Sequence, residues 1–135
     1  MSAVQWLSVA LVLGLHQRSI ELFGGASGLR DENLLEAAVA RPMNVHAYGG
    51  EDDIVVLAAA DAFGIARNHA FVDGNKRTAF AAATVFLEIN GLILNAPPDD
   101  AADAMERPAA GDLSETALAR WLAANVGPAG HGPPS

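Results

Sequence analysis

The chain has 135 residues, of which 51% are hydrophobic and 18% charged, with 16 acidic side chains against 8 basic ones for a formal charge of −8. That length supports one domain with a real core. The absence of cysteine excludes disulfides, thiolate metal sites and a thiol nucleophile, and agrees with a reducing cytoplasm. The acidic balance leaves no basic face for general nucleic-acid binding.

Val4 to Leu15 is apolar, with no Lys or Arg before Arg18 and no small-x-small cleavage site. It reads as a core helix rather than a signal peptide, and it is too short to span a bilayer. Ser8 is the predicted cap of a first helix running to about Phe23, where Gly24-Gly25 stops it. Trp6, Val9, Val12, Leu13, Ile20 and Phe23 are expected on its buried side, and His16, Arg18 and Glu21 on its wet side. Asp31 caps a second helix, Glu32 to about Ala40, which Arg41-Pro42 is expected to end. Met43 to Gly50 shows no helical period and is expected to form a small hairpin or flap.

Glu51-Asp52-Asp53 opens a third helix, and Ile54 to Arg67 is apolar nearly all round, the mark of a central buried helix. Within it, Asp61-Ala62-Phe63-Gly64 lacks the spacing and partners of a kinase metal motif and is set aside. A fourth helix begins after Gly74 and runs to Asn90-Gly91. Pro97-Pro98-Asp99-Asp100 starts a short helix ending near Pro108. Asp112-Leu113-Ser114-Glu115 fits a capping box for a last helix reaching about Asn125. Residues 127–135 read as a flexible Gly/Pro tail on a domain of residues 1–126. The predicted fold is all-α, a compact bundle of about six helices.

The stretch that carries chemistry is Asn68-His69-Ala70-Phe71-Val72-Asp73-Gly74-Asn75-Lys76-Arg77-Thr78, between the third and fourth helices. It contains Lys76, the single lysine of the chain. The first turn of a helix has N–H groups with no partner inside the helix, and with the dipole they form an anion site. Gly74 lets the backbone take positive φ. Two cations at a helix N-terminus oppose the dipole at a cost of roughly 0.3–1 kcal/mol each, which points to an anion between them. The stretch therefore reads as a loop that grips a nucleotide phosphate.

His69-x-Phe71-x-Asp73-Gly74-Asn75-Lys76-Arg77 resembles the signature of the Fic/Doc superfamily. Gly28-Leu29-Arg30-Asp31, Leu34-Leu35-Glu36 and Ala40-Arg41-Pro42 look like the upstream part of the Doc (death-on-curing) toxins. The resemblance covers roughly residues 5–95. It implies a compact Fic/Doc-like helical fold and a transferase that uses ATP and Mg²⁺. Fic enzymes that transfer AMP carry a glycine where this chain has Lys76 and a second arginine where it has Phe80. Lysine at the first position is what Doc toxins look like. That subgroup moves the γ-phosphate of ATP to a threonine of elongation factor Tu and so blocks translation. The self-inhibitory Fic element is missing, so the resemblance implies restraint by a separate Phd-type antitoxin.

Within the motif, His69 is expected to act as general base toward a protein hydroxyl, and Asp73 as a magnesium ligand. Gly74, Asn75, Lys76 and Arg77 would form the phosphate cradle: backbone N–H groups, a side-chain amide and two cations. Phe71 would anchor the loop in the core so that His69 and Asp73 face outward together. Two rival functions stand beside the kinase. One is an AMP-transferring Fic enzyme with an altered motif; the other is a non-catalytic binding module on the same fold. Neither membrane nor direct nucleic-acid binding is expected.

Overall fold

A computed structural model describes residues 3–96 and 114–128. Among them are five helices, α1 (Val9–Phe23), α2 (Glu32–Gly49), α3 (Ile54–Asn68), α4 (Asn75–Ile89) and α5 (Glu115–Ala124), and two short strands, β1 (Leu92–Leu94) and β2 (Val126–Pro128). The fold is all-α, as the sequence predicts. The predicted helix of residues 97–108 lies outside the described residues.

Local chemistry starts most of these helices where the sequence does. Ser8 Oγ accepts from Leu11 N, Asp31 from Leu34 N and Asp53 from Val55 N, each a side-chain oxygen taking one of the orphan first-turn donors. α5 is the exception. Its cap is Ser114, which accepts from Ala117 N; the expected Asp112 lies outside the described residues. Glu115 pairs with Arg41 of α2, whose Nε lies 2.8 Å from its Oε1.

α3 is the hub. It packs against α2, α4 and α5, and its residues Leu57 to Ala60, Ala62, Ile65 and Ala66 are buried with Phe86, Leu87, Leu118 and Leu122 around them. Small side chains permit this close packing: a Cβ built on Gly64 would stand only 3.3 Å from Ala38 Cα of α2. α4 leaves the core through Asn90, whose side chain accepts from Gln5 N at 2.8 Å and donates to Gln5 O at 2.9 Å, fastening the N-terminal segment.

Two expectations are corrected. The second helix does not end at Ala40; α2 continues through Pro42 to Gly49, so the expected hairpin or flap over Met43 to Gly50 is helix. Proline inside a helix removes one hydrogen bond and costs about 3 kcal/mol. Here Pro42 is buried on the same stripe as Leu35, Ala38 and Val39, and Val45 continues that stripe onto the core. Burying this face offsets the broken bond, and the chain turns only at Gly50, which is left-handed at φ 70°. The second correction concerns the start of the expected tail, Gly127 and Pro128. Leu92, Ile93 and Leu94 pair antiparallel with Pro128, Gly127 and Val126, and Asn95 N donates to Asn125 O at 2.7 Å. Gly127 and Pro128 thus close a strand that ties the exits of α4 and α5 together. Residues 129–135 lie outside the described residues.

Candidate active site

Three supports hold the motif loop, two of them remote in sequence. The segment after α1 pairs with it: Leu29 bridges Phe71, Val72 N donates to Gly28 O, and Arg30 N and Asp31 N both donate to Ala70 O. The Arg30 guanidinium donates to His69 O from Nε at 2.8 Å and from Nη2 at 2.6 Å. A cation on the last carbonyls of α3 also suits the negative end of that helix's dipole.

The second support is His16 of α1, expected at the wet face. It is 4% exposed. Its ring stacks on Phe71 with centroids 3.8 Å apart and planes 7° from parallel, and its Nε2 lies 2.8 Å from the carbonyl oxygen of Asp73, so Nε2 donates. Conversely Phe23, expected inside, is 63% exposed. The helical spacing of Val12, His16 and Ser19, all buried, carried the signal; the polarity of histidine and serine hid it. The third support is Phe71 itself, 2% exposed and part of the core.

These contacts set the motif side chains on one cleft of about 580 Å³, lined among others by Phe23, Gly25, His69, Asp73, Lys76 and Arg77. His69 closes α3 at φ 50°, ψ 46°, and both it and Asp73 are exposed. The Asp73 carboxylate accepts from Gly74 N at 2.9 Å and from Ala26 N at 3.2 Å. Each oxygen takes one of those bonds and keeps lone pairs for a further partner. A side chain at Gly25 would be strained, since its φ is 113° and a Cβ would lie 2.6 Å from Asp73 Oδ2. Gly74 caps α4 at φ 77°, and a Cβ there would meet Ile20 Cδ1 at 3.3 Å; both the dihedral and the close approach of α1 call for glycine. Arg77 stands over the Phe23 ring, 4.9 Å from its centroid, which keeps its guanidinium at the cleft mouth.

Asn75 differs from its expected place in the cradle. Its side chain is buried; Nδ2 donates to Phe71 O and Oδ1 accepts from Phe71 N, both at 3.0 Å. The amide expected on phosphate thus clamps the backbone of the anchor, and what Asn75 brings to the first turn of α4 is its backbone. Asn75→Ala would leave a buried N–H and C=O of Phe71 without partners, so we expect a loss of about 2–3 kcal/mol, read from urea unfolding. An unchanged midpoint would show that the clamp contributes nothing.

The donor set can be tested against a metal. Among the described residues no three His, Cys, Asp or Glu side chains gather as a metal cage. A single carboxylate beside the expected phosphate cradle fits Mg²⁺, which takes one or two carboxylates and completes its shell with water and phosphate oxygens.

A helical core that sets a histidine at the end of one buried helix and a Gly-Asn-Lys-Arg first turn on the next matches the Fic/DOC family over residues 6–87, and the chain belongs to that family. It is 47% identical over 104 residues to Toxin Doc of Mycolicibacterium smegmatis, covering 75% of this chain and 80% of that protein. It is 33% identical over 111 residues to Protein kinase doc of Escherichia phage P1, covering 82% and 87%. These similarities place the chain in the Doc branch of the family. No helix among the described residues is long and apolar enough to cross a membrane.

Proposed function

We propose that this chain is the toxin of a toxin–antitoxin pair, a cytoplasmic protein kinase that moves the γ-phosphate of ATP to a threonine hydroxyl of elongation factor Tu and so stops translation. The observation that carries this reading is the shared cleft of His69, Asp73, Lys76 and Arg77 at the N-terminus of α4. Phe80 supports kinase over AMP transfer. It is half-buried against the core, in the place where AMP-transferring Fic enzymes carry a second arginine.

In this reading His69 takes the proton of the threonine hydroxyl while its oxygen attacks the γ-phosphorus. The bond from that phosphorus to the β–γ bridging oxygen breaks, and ADP leaves with the electron pair. Little covalent work falls to the protein, so positioning and charge dominate. Lys76, Arg77 and the α4 first-turn amides hold the phosphates and offset their charge. Asp73 would hold Mg²⁺, which when bound neutralises phosphate oxygens. A Phd-type antitoxin would restrain the enzyme.

The test is ATP labelled on either the α- or the γ-phosphate, incubated with purified elongation factor Tu. We expect label on the protein from the γ position alone. Label from the α position would establish AMP transfer instead, and no label from either would remove elongation factor Tu as the acceptor.

A further inference from the structure

A second hollow, about 370 Å³, lies between α2 and α3 and shares no lining residue with the phosphate cleft. It nevertheless ends at Asn68, the residue before His69. Its floor is the close contact of Gly64 with Ala38. Its wall is Phe63, and two guanidiniums flank that ring, Arg41 at 5.8 Å and Arg67 at 5.4 Å from the centroid.

Charge makes this hollow unusual for the chain. Acids outnumber bases by 16 to 8, yet among the described residues the only charged groups lining the hollow are these two arginines. Arg41 already holds a carboxylate, that of Glu115. Arg67 is exposed and has no ion pair among the described residues. An arginine lying on an aromatic face presents a fixed planar fork, suited to bidentate capture of a carboxylate.

We propose that this hollow binds an acidic stretch of the protein substrate next to the acceptor hydroxyl. The proposal rests on reading His69 as the base that receives that hydroxyl. Arg67 is two residues before His69 in the same run of chain. A polypeptide that offers its hydroxyl to His69 and continues along α3 therefore passes the Arg67 fork within a few residues, at about 3.3 Å per extended residue. A glutamate or aspartate there meets the unpaired guanidinium, and the apolar ring beside it limits screening by water. The rest of this acidic molecule repels such a segment, so the open Arg67 fork selects position as well as sign.

Two synthetic peptides test this, one with a single threonine flanked by four glutamates and its counterpart with four glutamines. Their binding to the full chain is followed by fluorescence anisotropy without ATP. We expect the glutamate peptide to bind at least ~10-fold more tightly, corresponding to about 1.4 kcal/mol, and Arg67→Glu to abolish that preference. Arg67→Gln, with unfolding midpoints measured for all variants, guards against a folding defect. Equal binding of the two peptides, or a preference that survives Arg67→Glu, would overturn the proposal. Because no phosphoryl transfer is read, failure of the kinase reading in the labelled-ATP experiment would leave this result separately interpretable.

Discussion

An Asp61→Asn variant is expected to unfold at higher urea concentration than the parent at pH 8.5 and at nearly the same concentration at pH 4.5. Asp61 sits in the middle of α3 with 0% exposure, and neither of its carboxyl oxygens has a hydrogen-bond partner among the described residues. Burial without a partner disfavours the charged form, and it pushes the Asp61 carboxyl up from 3.8 to about 8. Between those values the folded chain keeps a proton that the unfolded chain has released. The unfolded state binds fewer protons there, so stability falls as pH rises from about 4 to about 8, by up to ~1.4 kcal/mol for each pH unit. Above about 8 the loss is complete, on the order of 5 kcal/mol. Asparagine has the same shape and no charge to bury, so it removes this slope. Paired surface carboxylates act in the opposite direction, but they are common to both proteins and cancel in the difference. Parallel stability curves for parent and variant across this range would show that Asp61 is ionised in the fold at little cost.

The same residue shows where sequence reading succeeds and where it stops. α3 was legible because Ile54 to Arg67 is apolar nearly throughout, and Asp61 could only be inside it. Ser8 and Asp31 were legible as caps because a cap is a bond within a few residues; Asp53 was read only as part of the acidic opening of the third helix and is its cap. The Lys76-Arg77 pair stood out because its charges oppose the helix dipole. What was hidden depends on partners far along the chain. Pro42 reads locally as a stop, and only its burial beside Val39 and Ala38 lets α2 continue. His16 reads as a surface residue until Phe71 and the Asp73 carbonyl, more than fifty positions away, take one ring face and the Nε2 edge. Asn75 sits inside a phosphate motif, yet its side chain serves the backbone four residues earlier. β1 and β2 are each three residues long and pair across a gap of more than thirty; neither has enough alternation to announce itself.

Replacing His69 separates the chemistry of the site from the strain that positions it. Among the described residues His69 is the only non-glycine with positive φ. The left-handed region costs an ordinary side chain roughly 1–2 kcal/mol. The turn is imposed from both sides: α3 ends there, and Ala70 to Val72 must immediately run beside Gly28 to Asp31. The Arg30 fork holds the His69 carbonyl in that turn. If His69 is the general base, His69→Gly and His69→Ala should both lower γ-phosphate transfer to elongation factor Tu by about 10²–10⁴-fold, measured in single turnover with labelled ATP. Their stabilities should differ. Both variants lack the imidazole, so contacts made by the ring cancel between them. Glycine tolerates this backbone and alanine does not, so His69→Gly should be the more stable by about 1 kcal/mol, the reverse of the usual order in a helix. Transfer within a few-fold of the parent in either variant would remove His69 as the base. A glycine variant less stable than the alanine one would instead mean that the turn is not left-handed in solution. The base and the strain would then fail independently, because one is read from a rate and the other from an unfolding equilibrium.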